Sequence, residues 1–194
     1  MQSQDTRNVI ARAAIRLFAH QGYDGTSLSD IVKASGVTKP VIYYYFKSKE
    51  ELFITLIQEI YDLLLNALRE KIERKENYVT RLQRIIRTYF KLSEEDRDAL
   101  RLLYGAGFGP RRNLPSVGFQ EWKMKHRELL KSFFLEGIQM GIIRQIPVEE
   151  AVFHFLGSIN YYLMMQVSGE ESLPENLDVR LADFLLHGIG TVHV

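Results

Sequence analysis

The chain has 194 residues, of which 46% are hydrophobic, and its formal net charge at pH 7 is +1. It contains no cysteine, which excludes disulfides and thiolate metal sites. No apolar run approaches the roughly 18 residues that span a bilayer, and the start of the chain lacks the apolar stretch of a signal peptide. We therefore expect one or two soluble, cytoplasmic domains with no cofactor and no metal.

Two helices are predicted in the first 36 residues. Apolar residues at helical spacing between residues 9 and 18 predict an opening helix. A second helix follows Ser27, a favoured N-cap residue, with Asp30 three positions later as in a capping box. Gly36 is expected to end this helix, because glycine adopts the left-handed conformation at low cost.

The third predicted helix is short and carries three consecutive tyrosines, Tyr43, Tyr44 and Tyr45. Thr38 stands at its N-cap and Pro40 in its first turn, where no intrahelical hydrogen bond is lost. Successive helical side chains are rotated by about 100°, so the three phenols cannot all face one core, to which Ile42 and Phe46 are expected to belong. Two short helices joined by a turn that contains glycine predict a helix-turn-helix, whose second helix enters the DNA groove.

This region closely resembles the DNA-binding domain of TetR/AcrR-type bacterial transcriptional regulators. The resemblance rests on Gly-Tyr-Asp-Gly-Thr-Ser at residues 22–27 and on the run from Gly36 to Phe53, and it covers residues 5–55. It implies a helical body that binds a small ligand, with its last two helices paired to those of a second subunit. The predicted fold is therefore all-α, with an N-terminal helix-turn-helix head and a ligand-binding and dimerisation bundle.

The remainder of the chain predicts six further helices and no strand, because apolar residues recur at helical and not at alternating spacing. One of these is expected to begin at Ser93 and to end near Tyr104. Residues 105–118 contain four glycines and two prolines and predict the main loop. We expect residues 1–48 to form the DNA-binding domain and residues 49–194 the effector-binding and dimerisation domain.

The distribution of charge supports a DNA-binding head. Residues 1–49 contain seven Lys and Arg against three Asp and Glu, whereas the remainder contains 18 against 21. The start of a recognition helix meets base edges, and nearby hydroxyl and ammonium groups hold phosphates. Base contacts are expected from Thr38, Lys39 and Tyr43, and phosphate contacts from Ser27, Tyr44 and Lys49, while Pro40 and Tyr45 complete the predicted DNA-binding set.

The body is rich in aromatic residues, which favours an apolar or aromatic effector. The predicted effector site is Tyr61, Tyr89, Tyr104, Phe108, Trp122, Phe133, Tyr161 and Tyr162. Arg111 and Arg112 are candidates for an anionic head group, and a lipophilic anion such as an acyl thioester is a hypothesis that follows. Solvated loop charges are the alternative interpretation of these two arginines.

The last two helices are predicted to form the seam of a homodimer. Both are apolar over more of their surface than one neighbour can cover, and a four-helix seam on a twofold axis covers them. The predicted interface residues are Phe153, Leu156, Gly157, Asn160, Tyr161, Met164, Leu181, Phe184, Leu185, Gly188 and Val192. Completion of the monomer core is the alternative interpretation.

The leading prediction is a sequence-specific regulator, most simply a repressor of a palindromic operator. One alternative is a helical small-molecule-binding protein whose head no longer binds DNA. An enzyme is a further alternative, but the sequence favours it less. Residues 105–109 lack the GxGxxG spacing and the preceding strand of a phosphate loop, a Gly-x-Ser-x-Gly motif is absent, and the five histidines include no His-x3-His pair.

Overall fold

The computed structural model of the chain describes residues 2–108, 114–115, 118–169 and 173–188. Within these ranges it contains nine α-helices and no strand, so the predicted all-α class is confirmed. None of the helices over the described ranges is long and apolar enough to cross a membrane. The helices are α1 Gln2–Gln21, α2 Leu28–Ser35, α3 Lys39–Tyr45, α4 Lys49–Ile72, α5 Tyr78–Glu95, α6 Arg97–Phe108, α7 Phe119–Gln139, α8 Val148–Ser168 and α9 Leu177–His187.

The chain forms two compact units. The first unit comprises Met1–Asp62 and Asp96–Phe119, and the second comprises Leu63–Glu95 and Gln120–Val194. The predicted division of the chain after residue 48, into a DNA-binding and an effector-binding domain, stays a prediction.

The core of the first unit joins α1, α2, α3 and the start of α4. Apolar residues with at most 3% exposure fill it, and they recur at the helical spacing expected from the sequence. These residues are Ile10, Ala14, Phe18, Ile31, Ile42, Phe46, Leu52, Phe53, Leu56 and Ile57. Helix α6 packs on α1 in the same unit, where the imidazole of His20 lies 2.8 Å from the carboxylate of Asp98.

Two sequence predictions about α5 and α6 are wrong. Helix α5 continues past Ser93 to Glu95, and the Ser93 hydroxyl donates to the Phe90 carbonyl within the helix. Helix α6 is instead capped by Asp96, whose Oδ1 accepts from Ala99 N–H at 2.9 Å. The loop expected from residue 105 begins later, since α6 runs through Gly105 and Gly107. Each glycine costs about 1 kcal/mol in a helix, and burial of the apolar face of α6 offsets that cost.

The core of the second unit contains a close approach between α5 and α7. The ring of Tyr78 stacks on that of Phe133 with centroids 4.4 Å apart, and its hydroxyl donates to the Phe133 carbonyl at 3.3 Å. Gly137 faces the same ring: a Cβ at that position would lie 2.5 Å from the Tyr78 hydroxyl oxygen. The absence of a side chain at Gly137 therefore sets how closely α7 approaches Tyr78.

A buried arginine joins three elements of the second unit. The guanidinium of Arg81 donates to the carbonyl of Ile72, at the end of α4, at 2.8 Å, and it forms a two-pronged ion pair with Glu136 on α7. It also lies 5.6 Å from the ring centroid of Tyr78. A bidentate pair satisfies both charges, so this arginine is buried without an uncompensated charge.

Candidate DNA-binding surface and effector site

A capped turn sets the orientation of α2 and α3. The backbone N–H of Asp30 donates to the Ser27 hydroxyl oxygen at 3.1 Å, and the backbone N–H of Ser27 donates to the Asp30 carboxylate at 2.9 Å. The Ser27 hydroxyl also donates to the Asp30 carboxylate at 2.6 Å, and this bond, followed by the one from the Ser27 N–H, holds the pKa of Asp30 below its usual value. Gly36 adopts a φ of 69°, in the left-handed region. The predicted capping box and the helix end at Gly36 are confirmed.

Helix α3, the predicted recognition helix, is anchored by two buried side chains, and most of its other side chains are exposed. Ile42 and the C-cap residue Phe46 are buried, as the sequence predicts. Tyr44 is 80% exposed and Tyr43 46% exposed. The polar residues at the helix start, Thr38 and Lys39, are exposed together with Pro40, while Tyr45 is half-buried.

Thr38 occupies the N-cap position of α3, but its side chain makes no capping hydrogen bond. A capping hydroxyl is turned back onto the helix, so a threonine that does not cap keeps both its hydroxyl and its methyl available to a partner. The helix begins here because the backbone of Thr38 is extended and Pro40 fixes its own φ in the first turn. The start of α3 thus presents side-chain groups that differ in chemistry, which is what contact with base edges requires.

Lys49 is held inside the first unit. Its Nζ donates to the carbonyl oxygen of Tyr23 at 2.9 Å and to that of Thr26 at 3.0 Å, and it lies 4.0 Å from the Tyr23 ring centroid. The ring of Tyr23 packs in turn on Phe53, with centroids 4.9 Å apart. Two of the three ammonium hydrogens therefore bond to the turn between α1 and α2. The sequence analysis did not predict these hydrogen bonds.

Arg7 makes further contacts between distant segments of the first unit. Its guanidinium pairs with Glu59 on α4 and lies 5.4 Å from the ring centroid of Phe46 at the end of α3. Arg7 is remote in sequence from both partners, so no local pattern points to it. Arg7 therefore lies close to the residue that ends α3.

The predicted effector residues fall into three groups. Tyr61 and Tyr104 belong to the first unit, where burial raises the pKa of each phenol and the nearby Tyr61 adds to the rise at Tyr104. Buried positions in the interior of the second unit hold Tyr89, Trp122 and Phe133. Tyr161 and Tyr162 line a groove between α8 and α9. The side chain of Phe108, together with Arg111 and Arg112, lies outside the described residues.

A polar pair lies in the second group. The hydroxyl of Tyr89 on α5 is hydrogen-bonded to Nε2 of His126 on α7. Burial lowers the pKa of His126 to about 4, so the imidazole is neutral at pH 7. Phe155 contacts the Tyr89 ring, with centroids 5.9 Å apart. The sequence offers one signal for His126: it stands on the apolar face of α7, at a position where helical spacing predicts an apolar residue.

The α8–α9 groove has a volume of 570 Å³ and lies on an apolar face. Exposed large apolar side chains are concentrated here: Phe153 is 70% exposed and Tyr161 59%. Of the remaining predicted interface residues, Leu156, Gly157, Asn160, Met164, Phe184, Leu185 and Gly188 are exposed or half-buried, Leu181 is buried, and Val192 lies outside the described residues. An apolar face of this kind marks a surface that another molecule covers.

Comparison with known proteins identifies the family. Residues 10–56, which contain the helix-turn-helix, match the model of bacterial regulatory proteins of the tetR family. The chain is also 30% identical over 143 residues to the fatty acid metabolism regulator protein of Bacillus subtilis, across 70% of each protein. The chain belongs to the TetR family.

Two further TetR-family comparisons concern the length and the fold. The chain is 29% identical over 100 residues to the HTH-type transcriptional activator FasR of Mycolicibacterium smegmatis, and the match spans 52% of this chain and 46% of FasR. The chain thus spans less than half the length of that relative. The crystal structure of the transcriptional regulator FadR from Bacillus subtilis, in complex with stearoyl-CoA, has a TM-score of 0.78 and 25% identity, and covers 95% of this chain and 100% of that one.

Membership of the TetR family leaves the individual site residues as predictions. The eight predicted DNA-binding residues all lie in the first unit, in or next to α2, α3 and the start of α4. No group of three or more His, Asp or Glu side chains in the described part of the chain is arranged to hold a metal ion. The residues that sequence reasoning missed, Arg7 and His126, act through contacts between helices far apart in the chain.

Proposed function

We propose that this protein is a sequence-specific DNA-binding transcriptional regulator, a homodimeric repressor of a palindromic operator that a small apolar effector releases. The observation that carries the proposal is helix α3, which is anchored by Ile42 and Phe46 and exposes Tyr43 and Tyr44 on its other side. Exposed phenols on a seven-residue helix contribute little to a core, whereas they suit a DNA groove. Such a regulator acts in the cytoplasm and catalyses no reaction.

In this proposal α3 enters the major groove with its N-terminal end towards the bases. Thr38 offers its methyl group to thymine, Lys39 donates to guanine, and Tyr43 contacts a base edge. Ser27 and Tyr44 hold phosphates with their hydroxyls, and Lys49 adds the ammonium hydrogen that its two backbone bonds leave available. Pro40 and Tyr45 flank these contacts. Phosphate contacts set the position on the duplex, and base contacts set the sequence preference.

The dimer is proposed to form through α8 and α9. The exposed apolar side chains of Phe153, Tyr161, Met164 and Phe184 lie on the faces that a twofold four-helix seam buries. Two copies present two recognition helices, which contact successive major grooves when they are about 34–36 Å apart. In this scheme residues 1–48 bind DNA and residues 49–194 hold the effector and the partner subunit.

The proposed effector is a long-chain acyl thioester. Support comes from the similarity to the fatty acid metabolism regulator protein of Bacillus subtilis, which is 30% identical across 70% of this chain, and to the structure of Bacillus subtilis FadR in complex with stearoyl-CoA. The buried aromatic side chains of the second unit suit an apolar chain. Effector binding favours a dimer in which the recognition helices no longer match the groove spacing, and a coupling free energy of about 1–3 kcal/mol is enough for a usable switch.

The test begins with selection of binding sites from random duplex DNA by the purified protein. The best site is then titrated by gel shift at several salt concentrations, without and with an acyl thioester. We expect a palindromic site, bound by a dimer and released by the thioester. If no site is enriched with or without the thioester, the DNA-binding proposal is wrong, and a thioester-dependent thermal shift would then favour a ligand-binding protein with a vestigial head. Turnover of the thioester would instead indicate an enzyme.

A further inference from the structure

The interior of the second unit contains a polar pair at a position where the helix pattern calls for an apolar residue. On α7, Trp122 and Leu130 lie one turn before and one turn after His126, and both are buried. Tyr89, on α5, is only 5% exposed and joins its hydroxyl to His126. Polar groups in such surroundings cost free energy unless they are hydrogen-bonded, and packing alone is served as well by a phenylalanine.

The pair leaves one imidazole nitrogen for another partner. When the Tyr89 hydroxyl donates to Nε2 of His126, the single hydrogen of the neutral imidazole lies on Nδ1. No residue in the described part of the chain is hydrogen-bonded to that Nδ1. His126 as a whole residue is half-buried. In this tautomer Nδ1 of His126 is a hydrogen-bond donor.

The neighbouring side chains determine which kind of hydrogen-bond acceptor suits this donor. Phe155 packs on Tyr89, and Phe134 packs on Phe155 with ring centroids 5.4 Å apart, so the pair borders an aromatic cluster. The low pKa of His126 means that the pair carries no positive charge at pH 7. A neutral N–H donor beside aromatic rings suits an uncharged acceptor, because a carboxylate there would lose its hydration without meeting a cation.

We propose that His126, held by Tyr89, is the polar anchor of the effector site and donates a hydrogen bond to an uncharged carbonyl oxygen at the end of the ligand's apolar chain. This inference rests on the proposed function, since it takes the second unit as the effector-binding part. Thioesters, esters and lactones share that carbonyl group. A free fatty acid, which is a carboxylate at pH 7, does not, and the anchor therefore discriminates between an acyl thioester and its hydrolysis product.

Direct calorimetric titration of the full-length protein tests the anchor without relying on DNA. The probes are a coenzyme A thioester, a methyl ester, a γ-lactone, a carboxylate and an alkane with matched alkyl chains. We expect at least one of the carbonyl compounds to bind about tenfold or more tightly than the alkane and the carboxylate. The thioester and lactone arms distinguish the two sources of the carbonyl. If no carbonyl compound binds more tightly than the alkane, the proposal is wrong.

Three variants separate an anchor from a structural pair. His126→Phe should bring the carbonyl compounds to the affinity of the alkane and leave alkane binding unchanged, and Tyr89→Phe should cause a smaller loss of the same preference. Tyr78→Phe is the control, because it removes a buried phenolic hydroxyl that is bonded to a backbone carbonyl in the same unit. An equal loss for every ligand, or a lower melting temperature with the carbonyl preference intact, would assign the pair to structure alone.

The two proposals fail in different ways. A carbonyl preference that depends on His126, together with no effect of the ligand on DNA binding, would keep the anchor and refute the effector role. Ligand release of a selected operator that is unchanged in His126→Phe would keep the regulator and refute the anchor. If His126→Phe does not fold, Tyr89→Phe decides, because its ring still fills the interior.

Discussion

The contacts of Lys49 make a quantitative prediction about the first unit. Lys49→Met keeps an apolar stem against the Tyr23 ring but removes the charge and the two bonds to the Tyr23 and Thr26 carbonyls. Hydrogen bonds to charged groups contribute about 1.5–3 kcal/mol each, and an exposed cation–π contact about 0.5–1 kcal/mol. Lys49 is half-buried, so water compensates part of the loss. We expect the free energy of unfolding to fall by about 2–3 kcal/mol.

Urea unfolding followed by the helical circular dichroism signal measures this change. Lys75→Ala is the matched control: it removes a lysine charge from an exposed position, and such surface changes stay within about 0.5 kcal/mol. A change in Lys49→Met that is no larger than in the control would refute the reasoning, because it would mean that the two carbonyl bonds contribute nothing net.

The salt dependence of DNA binding tests the other proposed role of Lys49. Loss of one phosphate contact should reduce the slope of log affinity against log salt by about 0.9. A stability loss with an unchanged slope would remove Lys49 from the DNA contacts and leave it as the residue that orders the turn before α2. The two measurements are independent, so each role stands or falls alone.

Three further predictions concern other parts of the chain. Because the pKa of His126 falls from 6.5 to about 4 on folding, the unfolded state binds the proton first as pH falls, and the free energy of unfolding decreases from pH 6.5 towards pH 4. In urea titrations, the free energy of unfolding of the wild type should fall by about 2 kcal/mol more between pH 7.5 and 5 than that of His126→Phe, and equal decreases would contradict this. Phe153→Glu should shift sedimentation to that of a monomer, whereas Met124→Glu, also at an exposed apolar residue, should not. Tyr43→Ala should weaken gel-shift affinity for the selected operator about 10–100-fold and for random duplex much less, while Tyr44→Ala weakens both; equal losses for Tyr43→Ala would reduce it to a positioning role.

The features that the sequence predicted correctly are those with local causes. The capping box of Ser27 and Asp30 spans four residues, and the left-handed Gly36 needs only its own lack of a side chain. The buried Ile42 and Phe46 follow from helical spacing within one short segment. In each case the interaction lies within one turn of helix, so the residue types decide the outcome.

The features that the sequence did not predict depend on contacts between distant segments. The glycines at positions 105 and 107 favour a loop locally, but this segment stays helical because α6 packs on α1. Lys49 looks like a surface lysine until the turn after α1 brings two carbonyls to its Nζ. His126 looks like a bystander, since its partner Tyr89 is 37 residues away in the chain. Which residues of the candidate site touch one another is therefore a property of the packing, which helical periodicity alone does not specify.

The close approach of Gly137 to Tyr78 constrains how this chain can diverge. The Tyr78 ring cannot move aside, because Phe133 stacks on one of its faces and accepts its hydroxyl hydrogen. A mutation that adds a side chain at residue 137 therefore meets a clash unless the residue at 78 has already become smaller. Among descendants of this sequence the two positions should change in a fixed order, the residue at 78 first, and an alignment of close relatives should show them varying together.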